Sequence, residues 1–258
     1  MTAPIPRDMP DLPAVPSKPP LRPSPVPATA VVAPTPHPLT AIFRLLTTLT
    51  ATAGVTLELL LGSPGRILSY FSIQSNALLA VIMVAAAHRA WTARRPLPSS
   101  VTGATLLYVT MTGLVYHVLL DHTTPPFSMT GATEPPAAWH GQWIVLQLLH
   151  TVTPAAALVD WLVLTAPGRL HLRQTAAWLL YPLAYLVFSL GRGELLIPGT
   201  TDRYLYPFLD VEQQGYRDTL ANALLLGLAF YGVAVLLVAL DHARPNPIRR
   251  RGKTGFRL

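Results

Sequence analysis

The sequence predicts an all-α fold: a polytopic membrane bundle of six transmembrane helices over residues 39–240, with a disordered proline-rich tail (1–38) before it and a basic tail (241–258) after it. Three observations carry that reading. The 258 residues are 51% hydrophobic and 12% charged, about half the charge of a soluble domain. Many of the 27 prolines crowd into the first 38 positions, and six of the 19 Lys+Arg lie in the last 15. Between these ends stand six apolar runs, each long enough to cross a bilayer core of about 30 Å at about 1.5 Å rise per residue. The same composition excludes a soluble globular enzyme and a collagen-like chain. With no cysteine, a disulfide-stapled secreted domain is excluded too.

The N-terminal segment has proline at almost every third position. Proline lacks a backbone donor and breaks helix interiors, so an extended, polyproline-like tether is expected, with a ligand for a proline-binding module as the alternative. No basic start leads into an apolar core within the first 30 residues, so the segment does not read as a signal peptide. The six runs are 39–61, 67–87, 101–120, 141–164, 172–190 and 220–240. Charge, Pro or Gly separates each pair, as in HRAWTARRPLPSS and TAPGRLHLRQ. Backbone groups in lipid must pair within their own segment, which makes these runs helices.

Orientation follows the basic residues. Arg7, Lys18, Arg22, Arg89, Arg94, Arg95, Arg169, Arg173, Arg244, Arg249, Arg250, Arg251, Lys253 and Arg257 fall on one side, fourteen in all; Arg66, Arg192, Arg203 and Arg217 fall on the other. Cytoplasmic loops of a plasma-membrane protein carry that excess, so both termini are expected in the cytoplasm, consistent with an even number of spans. The tail RPNPIRRRGKTGFR reads as a contact for anionic lipid head groups rather than a nucleic-acid patch. No Walker loop, GxGxxG or zinc-spaced Cys/His set occurs, so no cofactor, metal or nucleic-acid partner is implied.

Polar side chains inside lipid are costly and therefore informative. On the second run, Ser69, Ser72 and Asn76 stand at i, i+3 and i+7, one helical face, with Ser75 beside it and Gln74 pointing elsewhere. The fourth run carries His150 about ten residues, or roughly 15 Å, from its outer end, followed by Pro154, which is expected to kink the helix and free a carbonyl. Asp160 lies towards the cytoplasmic end, and Tyr116 and His117 near the outer end of the third run. The simplest role for the serine face is helix–helix packing. A hydroxyl and an imidazole at one depth also suit a nucleophile–base pair, with Asn76 or Gln74 as an oxyanion donor by residue type. His88, His117 and His150 sit at unmatched depths for haem, and no late-helix Gly-x-Ser-Gly of an intramembrane serine protease is found. The fifth loop, GRGELLIPGTTDRYLYPFLDVEQQGYRD, clusters Tyr204, Tyr206 and Phe208 around Pro207, as if folded over the outer opening.

Taken together, SYFSIQSN, HTVTP with DW, YPLAY with GRGE, and YPFLDV with GY resemble bacterial six-span membrane proteins distantly related to the androgen-induced and androgen-dependent TFPI-regulating proteins of animals. The similarity covers about residues 39–240. Because the animal proteins hydrolyse fatty acid esters of hydroxy fatty acids with a threonine and a histidine, the resemblance implies a lipid-ester hydrolase. It places the histidine on His150 and the hydroxyl nucleophile on Ser69 or Ser72, with Ser72 the better match and Ser standing where the animal proteins have Thr. The competing expectation is a non-enzymatic membrane protein, a small transporter or a regulatory subunit, in which the same residues join helices or line a path.

Overall fold

The computed structural model describes residues 35–123, 127–130, 141–200 and 203–245. The chain divides into residues 1–34 and 35–258, and everything described belongs to the second part. The expectations for the proline-rich segment and for the end of the basic tail fall outside the described residues.

Among those residues the secondary structure is helical, with no strand. Five helices are long and apolar enough to cross a membrane: α1 (Pro38–Leu61), α2 (Phe71–Trp91), α3 (Ser99–Leu120), α4 (Gly141–Leu164) and a long C-terminal helix, Val211–Ala243. Six were expected. The fifth run is instead two shorter helices, α5 (Leu172–Trp178) and α6 (Leu180–Leu195), so the Val211–Ala243 helix is α7. The reason is Pro182, which has no N–H to give to the Trp178 carbonyl one turn back. Tyr108 of α3 supplies the missing donor, its hydroxyl 2.8 Å from that carbonyl, while the Trp178 indole N–H donates to Ser100 O at 2.8 Å. A helix break among apolar neighbours is thereby satisfied from the adjacent helix.

Two other elements differ from their sequence reading. α7 starts nine residues before the apolar run because Asp210 caps it, its carboxylate accepting from the Glu212 and Gln213 amides at 2.9 and 3.2 Å. Gly215, at φ 76°, then turns this first piece away from the rest of the helix. In α4 the expected effect of Pro154 takes the form of a wide turn, Leu148–Val152, which is π-helical; a second π-helical turn follows at Asp160–Leu164. π-turns accommodate a missing i→i−4 bond by widening the ring. α3 approaches α4 closely there, since a Cβ on Gly113 would lie 2.9 Å from the His150 carbonyl oxygen.

The bundle is apolar inside and out. Phe71, Ile73, Leu107, Leu146 and Leu149 are buried in its core, whereas Leu60, Val187 and Leu224 stand 77%, 68% and 66% exposed on the outside. An outer surface of that kind is stable against lipid, not water. α1 lies antiparallel along α2, with Arg44 donating to Ala86 O (3.3 Å) and Thr48 to Ala80 O (3.4 Å). The same Arg44 meets Asp160 of α4 at 2.7 Å, and Thr165 also donates to that carboxylate. Nearby, Asp241 of α7 accepts from the Arg169 and Leu170 amides (2.6 and 2.9 Å) and the Trp161 indole (3.1 Å), with Arg244 paired to it and lying over the Trp161 ring. These two carboxylates join α1 to α4 and α4 to α7 at the basic end of the bundle. Asp160→Ala, which strands a mostly buried guanidinium, is expected to cost about 3 kcal/mol, and adding Arg44→Met to recover most of it; unfolding by denaturant in detergent micelles measures both.

Candidate functional site

α2 begins at Phe71, after the helical turn Pro64–Ile67 and a bend through Tyr70. Ser69 therefore precedes the helix and does not share a helical face with Ser72 and Asn76, correcting the i, i+3, i+7 reading. Its hydroxyl donates back to Gly65 O at 2.8 Å, and its carbonyl accepts from the Tyr185 hydroxyl at 2.9 Å. Ser72, in the first turn, is buried, with its hydroxyl 3.4 Å from Met129 Sδ.

Asn76 joins α2 to α4 rather than offering a donor to a ligand. Its side-chain amide donates to Ser72 O (2.9 Å) and to Leu149 O (3.2 Å), and its oxygen accepts from Thr153 at 2.6 Å. The Leu149 carbonyl lies in the first π-turn, so Asn76 pairs a backbone group in the widened stretch. Gln74 is committed on the other side of α2, donating to Leu68 O and accepting from Tyr181 at 2.6 Å. Both amide hydrogens of Asn76 are committed, one of Gln74's is, and neither residue lines the cavity that Ser72 faces, so the structure gives no support to either as the oxyanion donor expected by residue type.

His150 sits in the same π-turn, 3% exposed and stacked on Tyr116 with ring centroids 4.5 Å apart. Its Nδ1 lies 3.0 Å from Leu146 O; a carbonyl can only accept, so Nδ1 carries the proton and Nε2 presents a lone pair. Nε2 meets no hydrogen-bonding partner among the described residues, and the ring faces a cavity of about 630 Å³. His117 does not join it: exposed on α3, its Nε2 lies 2.9 Å from the Thr151 hydroxyl, which donates to Gln147.

The cavity lies between α3, α5, α6 and α7. Ser72, Thr112, His150, Tyr185 and Tyr206 supply polar groups to its lining, and the remainder is mostly aliphatic or aromatic. Leu180, Leu183, Leu220, Leu224, Leu228 and Tyr231 line it and are also exposed on the outside of the bundle. The opening is therefore lateral, between α6 and α7, towards the surface that lipid covers. An apolar chamber with a few convergent polar groups suits an amphiphile whose tail enters from that side.

Tyr206, Phe208 and Leu209 of the segment between α6 and α7 line the cavity, so the aromatic cluster is ordered against the bundle. Arg203 donates to Gly193 O and pairs with Glu212 (both 2.5 Å), Arg192 donates to Arg203 O at 3.0 Å, and Tyr204 donates to Glu194 at 2.7 Å. So held, the loop sends Tyr206 inward against Tyr70, Phe127 and Phe208, with centroid separations of 5.6, 5.9 and 5.1 Å. Tyr206 lines the cavity together with Ser72, and burial pushes its phenol up to about 12, so it keeps its proton across the working pH range. Tyr185 is a site residue that the sequence did not single out, and Tyr206 stood out only within its aromatic cluster; each lies more than 100 residues from Ser72. The described residues hold no group of three metal-ligating side chains.

No family model, curated protein or solved structure matches the chain. The site is accordingly argued from its own geometry. Asn76→Ala removes one donor and one acceptor contact between α2 and α4, and a donor contact within α2. It is expected to cost about 2 kcal/mol, against about 1 for Thr153→Val, as read from thermal unfolding of the purified protein in detergent.

Proposed function

We propose that this integral membrane protein hydrolyses lipid esters in the outer half of the plasma membrane, with Ser72 as nucleophile and His150 as base. One observation carries the reading: Ser72 and His150 both line one cavity, whose apolar remainder opens sideways to lipid. His150 offers Nε2 as the proton acceptor because Nδ1–H is held by Leu146 O. The Ser72 hydroxyl is held by a weak thioether acceptor, which leaves it easy to redirect. Its place in the first turn of α2 puts the developing negative charge at the favourable end of the helix dipole. Ser69 is spent on its own turn and does not line the cavity, which favours Ser72 between the two.

The fatty acyl part of the ester would fill the apolar chamber and its carbonyl would meet the polar groups of the lining. The resemblance to the six-span family supports the same chemistry. Such a chamber equally suits a protein that holds an acyl chain without cleaving it, and turnover separates the two.

Six crossings, with both termini in the cytoplasm, fit the distribution of basic residues. α5 and α6 would together make the sixth: residues 172–195 reach about 36 Å at about 1.5 Å per residue, and their break is hydrogen-bonded by Tyr108. The basic C-terminal residues from Arg244 onward would lie against anionic lipid head groups.

Fluorophosphonate labelling of the purified protein is expected to be lost in Ser72→Ala and retained in Ser69→Ala, while turnover of model fatty esters falls to background in His150→Ala. Labelling unchanged in Ser72→Ala, or a folded wild type that neither labels nor turns over, sinks the reading. Because the chain has no cysteine, single cysteines report topology cleanly. Ser17→Cys and Thr254→Cys should resist an impermeant maleimide added to intact cells, and Thr200→Cys should react.

A further inference from the structure

A cavity inside lipid sorts its occupants first by charge. An ion that leaves water must find a counter-charge or several donors in the wall that receives it, and an uncharged ester needs neither. The lining of the chamber beside Ser72 and His150 is therefore a statement about which lipids it holds. Among the described residues, no Lys, Arg, Asp or Glu lines it. Arg192 and Arg203, on α6 and the loop after it, are committed elsewhere: Arg203 to Gly193 O and Glu212, Arg192 to Arg203 O.

The neutral groups of the lining offer little to an anion. Thr112 and Tyr185 donate their hydroxyl protons to the carbonyls of Tyr108 and Ser69, each at 2.9 Å, so their oxygens are left as acceptors. His150 keeps its Nδ1 proton on Leu146 O and carries a lone pair on Nε2. A carboxylate or phosphate set against that nitrogen meets lone pair with lone pair. Protonating the imidazole removes the repulsion, and with it the base on which the reaction depends. An ester carbonyl has one oxygen to satisfy and no net charge, and makes no such demand.

The way in selects in the same sense. Leu180, Leu183, Leu220, Leu224 and Leu228 line the chamber and also stand exposed on the outside of the bundle, between α6 and α7. A charged head group would have to pass this apolar doorway without water or a counter-ion. The volume of about 630 Å³ is ample for a drug-sized ligand, so the discrimination lies in charge rather than in size.

We propose that the chamber takes uncharged amphiphiles and excludes anionic ones: its substrates are fatty acyl esters of uncharged alcohols, and not the same esters bearing a phosphate or a free carboxylate. As a rule of turnover this rests on the hydrolase reading above; as a rule of occupancy it stands on the lining and the doorway. Esters of hydroxy fatty acids, which the animal proteins cleave, carry a free carboxylate and fall in the excluded class.

The test uses the full chain in nonionic micelles. Monooleoylglycerol and monooleoylglycerol phosphate share an acyl chain and an ester bond and differ by one anionic group. At equal molar ratio to detergent, kcat/KM is expected to be at least about 10²-fold higher for the uncharged ester, as an unpaired charge in an apolar site requires. Occupancy is read separately with ether analogues, which cannot be cleaved. A diazirine-bearing monoalkylglycerol should photo-label the peptides that hold the buried lining residues Thr112 and Phe230. Monooleylglycerol ether should displace it, and the phosphate of that ether should do so at least about tenfold less well. A kcat/KM ratio within about threefold, or equal displacement by the phosphate, overturns the charge rule. Labelling of neither peptide overturns the chamber as the binding site. A folded protein that cleaves neither ester but shows the expected displacement overturns the hydrolase reading and leaves the rule of occupancy standing.

Discussion

Lipid offers no hydrogen bonds, so every backbone group that a helix leaves unpaired must be met from a neighbouring element. The architecture follows from that constraint at three places. At Pro182 the orphaned Trp178 carbonyl is met by Tyr108. In the π-turn before Pro154, the Leu149 carbonyl is met by Asn76 and Thr153. Just before α2, the Ser69 carbonyl is met by the phenol of Tyr185. Each repair brings a polar side chain into an otherwise apolar interior. Two of the three lie beside Ser72 and His150. The candidate site is thus located where regular helix fails.

That origin explains what the sequence could and could not reveal. Long apolar runs determine helices through burial alone, and α1 to α4 were legible with errors of a few residues at their ends. The polar cluster was legible as well, because Ser72, Asn76 and His150 stand out in so apolar a chain. Roles were less visible. Ser69 matched the helical spacing but precedes the helix, since Pro64 starts a separate turn. Asn76 looked like a donor by type, yet its partners come from residues 149 and 153, and one-dimensional spacing cannot show them. The break of the fifth run was foreshadowed by Pro182, but its satisfaction by Tyr108 is purely tertiary. Tyr206 was noticed only as part of an aromatic cluster, since nothing local couples residue 206 to residue 72.

The basic end of the bundle and its cavity are built differently. At the basic end Asp160 and Asp241 are charge-paired and saturated with donors, and they tie helices together. Around the cavity the polar groups are hydroxyls and an imidazole, and no charged side chain among the described residues lines it. Ion pairs demand full satisfaction when buried, so they suit a fixed joint. Neutral groups tolerate exchange of partners at lower cost, as a site that must release one contact to make another requires.

The sideways opening between α6 and α7 has a further consequence. A molecule that reaches the chamber from within the bilayer is presented at its mole fraction among lipids, not at its concentration in water. Occupancy then depends on how well the amphiphile partitions and on how much other lipid dilutes it in two dimensions. Added detergent competes as solvent and as occupant at once, so the chamber selects among neighbours already sharing its membrane.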